Sequence, residues 1–382
     1  MHTVVDLFCG CGGGSMGFHR AGFRTVGAVE IDEDAATAFT MNVGVTPIVK
    51  DIRDVRGEDI LAPAGLRRGD LTLLFGCPPC QSFTVLRRAA KPLDYDEQRR
   101  ELIYEYLRLV EELNPRHIAF ENVPGLVEGR WRPYYDNFEK ILSDLGYRVE
   151  QKVVDAAEYG VPQRRRRVLV IGSRVTEPEL PLPTHSATGN NETGRKRRLP
   201  FVTVRDAIKD CPVLASGEQD PADEFHKARR HSQLALERLA CIPEGGGRLN
   251  LPEHLVLACH KDHKGHYDIY GRMWWDRVAP TLTSGCTNVT RGRFAHPEQD
   301  RAITLREAML LQTFDEGARL HGGVEKMALQ VGNAVPSLLA ERIGETVKTM
   351  ECRSRRIRRA DGDFRAASQV DAIGRTHQPT RP

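Results

Sequence analysis

The sequence predicts an α/β protein: a mostly parallel sheet with helices on both faces, and a smaller, irregular second domain. Three observations carry this expectation. Short apolar runs alternate with amphipathic segments over residues 1–172, and such alternation builds parallel sheets covered on both sides. A glycine-rich turn, Gly10–Gly14, joins the first run to the first helical pattern. From Ser173 to about Arg301, proline, glycine, histidine and arginine dominate and periodicity fades.

The elements follow in order. Thr3–Phe8 reads as a strand, Ser15–Ala21 as a helix stopped by Gly22, and Arg24–Ile31 as a second strand. Thr46–Val49 is a short third strand, and Asp70–Phe75 a fourth that runs into Pro78-Pro79. Glu97–Leu113 is helical, with Leu102, Tyr106, Leu109 and Leu113 on one face. Asn114-Pro115 ends it, because proline disfavours a helical predecessor. His117–Phe120 is a strand. Phe138, Ile141, Leu142 and Leu145 mark a helix closed by Gly146, and Val149–Val154 and Val168–Ile171 are further strands. Helical pattern returns at Thr304–Gln312 and after Pro336, where Leu339, Ile343 and Val347 keep register. There are no internal repeats.

Composition narrows the function classes. With 382 residues, 28% charged and 40% hydrophobic, the chain can hold roughly two or three domains and a core that needs neither disulfides nor metal. No run of about 18 apolar residues exists, which excludes a helical membrane span. Met1–Asp6 offers neither a basic leader nor an apolar signal core, so a cytoplasmic protein is expected. Nine cysteines in no framework spacing fit reduced thiols. The net charge of +3 does not by itself point to a polyanion, but arginines cluster in short runs.

Several constellations carry chemistry. In Asp6-Leu7-Phe8-Cys9-Gly10-Cys11-Gly12-Gly13-Gly14 a strand feeds a glycine loop that opens a helix, so a ligand can approach the backbone closely. Glu30, twenty residues after Gly10, ends the second strand, where an acid can accept from ribose hydroxyls. A nucleoside cofactor is favoured; no Gly-Lys-Ser/Thr follows, which excludes a Walker-type phosphate loop. Asp51-Ile52 follows the third strand, as an adenine-binding acid or as a surface turn. Gly76-Cys77-Pro78-Pro79-Cys80-Gln81 leaves the fourth strand at the ligand crevice. A redox pair, a zinc pair and a lone nucleophile compete there. The nucleophile at Cys80 fits best and makes Cys77 replaceable. Glu121-Asn122-Val123 ends the fifth strand at the same edge. In Gln163-Arg164-Arg165-Arg166-Arg167, alternation sends Arg165 and Arg167 to one face. An inward pair would grip a carboxylate or a base oxygen.

Together these segments resemble the DNA (cytosine-5)-methyltransferase family. Its ordered motifs match Asp6–Gly13, Pro79-Cys80-Gln81, Glu121-Asn122-Val123, Gln163-x-Arg165-x-Arg167, Leu305-Arg306-Glu307-Ala308 with Leu311–Phe314, and Gln330–Pro336. Ser82 and Ser337 are small departures. The resemblance implies a Rossmann-like, S-adenosylmethionine-dependent methyltransferase sheet with a target-recognition domain. Residues 1–173 and 326–352 would form a discontinuous catalytic domain, 174–325 the target-recognition domain and hinge, and 353–382 a basic, disordered tail. Phe8 would pack on the adenine of S-adenosylmethionine, Glu30 would hold its ribose, and Asp51 and Ile52 would face the adenine edge. Gly10, Gly12, Gly13, Ile31 and Pro78 would line the same site, and Asn333 would close it. No metal is implied.

The chemistry fits these residues. Cys80 would add to carbon 6 of a flipped cytosine, which makes carbon 5 enamine-like. Glu121 would supply proton density to ring nitrogen 3. Arg165 would hold the base oxygen, with Arg167 as a second candidate. No residue stands out as the base for the carbon 5 proton. Duplex DNA is the expected partner, with a separate cognate restriction endonuclease, and a monomer is expected. DNA contacts are expected from Arg195–Arg198, Tyr270–Trp275, Arg291–Arg293 and the segment Thr281–Arg293. Cys259-His260-x-x-His263-x-x-His266 is not read as a zinc site. A transfer RNA methyltransferase shares the Pro-Pro-Cys-Gln pattern, but the long variable region favours DNA. A catalytically inert DNA-binding protein is opposed by the joint presence of Cys80, Glu121, Arg165 and the glycine loop.

Overall fold

The computed structural model describes residues 1–79, 94–189, 197–257 and 265–354. Its main strands are β1 (His2–Leu7), β2 (Phe23–Glu30), β3 (Ile48–Val49), β4 (Leu73–Gly76), β5 (His117–Asn122), β6 (Arg148–Asp155) and β7 (Arg166–Ser173). They form one sheet in the order β3-β2-β1-β4-β5-β7-β6. β7 runs antiparallel to β5 and β6, and the other pairings are parallel. The helices are α1 (Gly13–Arg20), α2 (Glu33–Val43), α3 (Gly57–Leu61), α4 (Asp94–Leu113), α5 (Arg132–Asp144), α6 (Val204–Ile208), α7 (Gln233–Ala240), α8 (Leu305–Leu311) and α9 (Val324–Asn333). A closing helix, α10, covers residues 337–354.

Both faces of the sheet are covered, which is why its central strands are runs of apolar residues rather than alternating ones. Val5, Leu7, Leu74, Ile118 and Phe120 pack against α3, α4 and α5. Val4, Leu73, Phe75, Ala119 and Leu169 pack on the other side against Phe18 of α1 and Leu339, Ile343 and Val347 of α10. The expected face of α4 is real, with Tyr106, Leu109 and Leu113 buried. The helices α2, α3, α6, α7 and α9 lie outside the sequence expectation. In α2 the buried side is Ala35, Ala36, Ala38 and Phe39, too small a contrast to stand out; its start is set by Asp32, whose side chain accepts from the Ala35 N–H. In α9 the buried residues include Gln330 and Gly332, so hydrophobicity does not mark the face.

Residues 174–325 hold short pieces, including the small strands β8 (His185–Ser186) and β9 (Leu199–Pro200). Their largest apolar cluster is shared with the segments on either side: Val204, Phe225, Met273 and Met309 pack with Cys11 and Met16 of the first part of the chain and Val331 of α9. A buried ion pair organises the entry to α8. Arg301 grips Glu307 through both carboxylate oxygens at 2.7 and 2.8 Å, and the same carboxylate accepts from the Thr304 N–H. Glu307 is therefore a structural anchor: burial pushes its carboxyl up, but the Arg301 guanidinium outweighs that and holds it below the usual carboxylate value. Cys9, Cys11, Cys77, Cys211, Cys241, Cys286 and Cys352 form no disulfides. The basic tail, from residue 355 onward, lies outside the described residues.

The chain's far end is clamped to its beginning. Glu351 of α10 binds Arg116 at 2.8 Å and His117 at 3.1 Å, at the start of β5. α10 also lies so close to α1 that a Cβ on Gly17 would sit 2.0 Å from the Ser337 carbonyl oxygen. Gly17→Ala improves helix propensity but forces the two backbones apart. It should therefore destabilise the fold by about 1–3 kcal/mol. Gly317→Ala, with nothing within 4 Å of the added methyl, should leave the urea midpoint unchanged; equal midpoints for the two variants would contradict this packing.

Candidate active site

The carboxyl ends of β1, β2, β4 and β5 open onto a cavity of about 480 Å³, the crevice position for ligands in open α/β sheets. Phe8 leaves β1 at φ 58, in the left-handed region that costs a bulky residue energy, and joins the cavity wall. Glu30 fixes the glycine loop. Its Oε2 accepts from the Gly10 N–H at 2.8 Å, and its Oε1 from the Ile31 and Asp32 N–H groups at 2.9 and 3.0 Å. Asp51 accepts from the Arg53 N–H at 3.0 Å and pairs with that guanidinium at 2.9 Å. Ile52 is buried, whereas Ile31 is 65% exposed. Gly13, Pro78 and Asn333 complete the wall. Gly12 stands behind it: its left-handed φ of +96 caps α1, and a Cβ there would meet Val43 at 3.0 Å.

Glu121 enters the same cavity from the end of β5 and is 2% exposed. Arg167 Nε lies 3.0 Å from its Oε1, and the Cys77 thiol lies 3.0 Å from its Oε2. Arg165 also borders the cavity, but its guanidinium donates to the carbonyls of Gly332 at 3.1 Å, Leu282 at 3.4 Å and Asn333 at 3.5 Å. The expected inward pair is present, while the arginine in contact with Glu121 is Arg167 rather than Arg165. Gln163 continues the scaffold: it donates to the Gln312 side chain at 3.0 Å and accepts from the Leu282 N–H at 2.9 Å. Gln312 in turn donates to the Val331 carbonyl at 2.6 Å. Cys80 lies outside the described residues.

A family model described as C-5 cytosine-specific DNA methylase matches residues 2–349. The chain belongs to this family. It is 34% identical over 354 residues to the Type II methylase M.HgiDII of Herpetosiphon aurantiacus, covering 91% of this chain and 95% of that one. It is 33% identical over 353 residues to the Type II methyltransferase M1.HphI of Haemophilus parahaemolyticus, covering 91% and 87%. In fold, it resembles a prophage-encoded protein of E. coli described as a DNA modification methyltransferase, with TM-score 0.68 at 24% identity over 92% of this chain and 99% of that one. The S. pombe Dnmt2 methyltransferase gives 0.58 at 16% identity over 92% and 98%.

In this methylase the cavity has further charged walls that the sequence pattern did not single out. Asp6 sits beneath the glycine loop and accepts from the Ser15 hydroxyl at 2.7 Å. Lys326 of α9 reaches across the mouth to pair with Asp32. Only spacing could have found it: Lys326 lies one helical turn before Gln330.

Some expected DNA contacts prove to be core. Tyr270, Arg272 and Met273 are buried, and Arg272 donates to the carbonyls of Leu239, Ile242, His296 and Gln299. Arg293 binds the carbonyls of Gly245, Gly246 and Arg272 and pairs with Asp268. Irregular backbone needs donors for its unpaired carbonyls, and these arginines supply them. Thr283, Ser284, Thr290 and Arg291 remain exposed. Arg195, Lys196, Cys259, His260 and His263 lie outside the described residues. Among the described residues no His, Cys, Asp and Glu group is arranged to hold a metal ion.

Burial pushes the Asp6 carboxyl up to about 7. A carboxyl raised in the folded state favours folding most below its unfolded pKa, near 4, and that contribution is lost as pH rises through 7. Asp6→Asn keeps an acceptor for Ser15 and removes the titration. The variant should match the wild type at pH 4 and be more stable by about 2–4 kcal/mol at pH 8. Parallel denaturation curves across that range would refute the assignment.

Proposed function

We propose that this methylase transfers a methyl group from S-adenosylmethionine to carbon 5 of a cytosine flipped out of duplex DNA, through a covalent adduct with Cys80. The observation that carries the reading is that one cavity joins Glu30 and Asp51 to the buried pair Glu121–Arg167. The donor set suits the cofactor. Glu30 and Asp51 are acceptors for ribose hydroxyls and an adenine amino group, Phe8 offers a ring face, and the volume suits a nucleoside. Bound there, S-adenosylmethionine supplies an electrophilic methyl group.

The chain's own residues prepare the acceptor. Carbon 5 of cytosine is a poor nucleophile until a thiolate adds at carbon 6, the role read for Cys80; once carbon 5 is methylated, loss of its proton expels the thiolate and restores the ring. Glu121 shares its proton with ring nitrogen 3 as charge builds. Arg167, beside Glu121, is the better-placed donor for the base oxygen, since Arg165 is committed to carbonyls. Extrusion of the base costs a few kcal/mol, offset by phosphate contacts. A flipped base identifies only itself, so residues 174–325 are read as the surface that reads its neighbours. Kinship with Type II methylases supports a restriction–modification role beside a separate endonuclease. We read the protein as a cytoplasmic monomer.

Bisulfite sequencing of DNA from cells expressing the chain tests the activity and reveals the target; unmodified DNA would overturn the reading. Cys80→Ser should abolish methyl transfer and keep cofactor affinity, because an alcohol is far less acidic than a thiol. Wild-type protein should be trapped on 5-fluorocytosine DNA, and full activity of the serine variant would remove Cys80 from the mechanism. Glu30→Ala should weaken S-adenosylmethionine binding by about tenfold or more, the scale of hydrogen bonds to a charged acceptor. Calorimetry showing unchanged affinity would exclude Glu30 as a cofactor ligand.

A further inference from the structure

The sequence gives Cys77 no part in the chemistry, yet the fold delivers it to Glu121. β4 and β5 are parallel neighbours with Gly76 opposite Phe120, so the chain leaving β4 runs beside Glu121. Two bonds keep it there. The Cys77 N–H donates to the Leu7 carbonyl at 3.4 Å, and the Asn122 amide donates to the Pro78 carbonyl at 3.2 Å. The thiol then lies 3.0 Å from Glu121 Oε2 while Arg167 Nε lies 3.0 Å from Oε1. The carboxyl is held on both flanks, by a neutral donor just past β4 and a cation from β7. In this contact the thiol is the donor and the carboxyl oxygen the acceptor. Arg165 borders the same cavity, with its guanidinium turned to the backbone of Gly332 and Asn333.

We propose that Cys77 is a positioning residue for Glu121: its S–H fixes the direction of the carboxyl group that must meet ring nitrogen 3. With Arg167 alone, the carboxylate could turn flat onto the guanidinium as a two-bond fork, the favoured geometry of that pair, and point away from the base. A thiol is a weak donor. It holds the second oxygen in the resting site and yields when a ring nitrogen competes for the carboxyl. The inference rests on the reading of Glu121 as the proton donor.

The test is single-turnover methyl transfer on the DNA target across pH, for wild type, Cys77→Ala, Cys77→Ser, Glu121→Gln and the double variant Cys77→Ala/Glu121→Gln. Cys77→Ala should be slower by about tenfold, the worth of one hydrogen bond, with S-adenosylmethionine affinity within about twofold of wild type. The pH limb that disappears in Glu121→Gln should move upward in Cys77→Ala, because losing a donor to the carboxylate favours its protonated form. Cys77→Ser should restore both rate and limb. In the Glu121→Gln background, Cys77→Ala should add less than about twofold. A wild-type rate and pH profile in Cys77→Ala would overturn the proposal, as would an equal loss in the two backgrounds. If Cys77→Ala fails to bind cofactor, Cys77→Ser decides: near wild type it supports the proposal, and as slow as Glu121→Gln it sinks it. Glu121→Gln at the wild-type rate is a separate failure, which removes the Glu121 reading itself.

Discussion

One buried guanidinium ties the sheet to two later segments of the chain. Arg165 leaves the sheet just before β7 and donates to carbonyls at the end of α9 and in the segment that precedes it by some fifty residues. A planar fork with several fixed donors can satisfy backbone carbonyls from separate segments at once. The closeness is extreme on the other side too: a Cβ on Gly332 would lie 2.3 Å from the Thr283 carbonyl carbon. The Gln163–Gln312 ladder repeats the arrangement one layer away. Asn333 and Val335 therefore stand against the glycine loop because polar side chains from distant segments pin the backbone between them.

The acids of the cavity are held by different means, and their behaviour differs accordingly. Glu30 is held by three backbone N–H groups, those of Gly10, Ile31 and Asp32. Asp6, only a strand's length away in sequence from the same loop, has one hydroxyl and deep burial, and so is pushed toward its neutral form. Glu121 has a cation on one oxygen and a thiol on the other. Three carboxyl groups around one cavity thus sit in three different settings: backbone donors, burial with one hydroxyl, and an ion pair beside a thiol.

The sheet was legible in the sequence because buried parallel strands are apolar runs ended by glycine or proline, and both signals are local. The carboxyl-end placement of Glu30 and Glu121 followed from the same boundaries. What stayed hidden depended on partners far away. Alanine-rich α2 shows little contrast between faces, and its cap is recognised only once Asp32 is seen to accept from Ala35. The aromatic and basic run Tyr270–Trp275 looked like a nucleic-acid surface, because composition does not distinguish an arginine facing phosphate from one facing carbonyls. The contact of Cys77 with Glu121 follows from strand register, which spacing along one segment does not encode. Likewise Arg165 and Arg167 share a face, as alternation requires, but only the fold separates the scaffold arginine from the one beside Glu121.

The clamp between α10 and the first helix also orders events during synthesis. The glycine loop, Glu30 and Asp51 are made well before Lys326, Asn333 and Val335, which line the same cavity. Until then the nascent chain carries a half-walled cleft, with Val4, Phe18 and Phe75 waiting for the apolar face of α10. A small molecule gripped from both walls binds the closed chain in preference to the open one, and its binding energy adds to the docking of the last segment. A ligand that spans both walls would therefore add to the stability of the closed chain, and more so as its concentration rises.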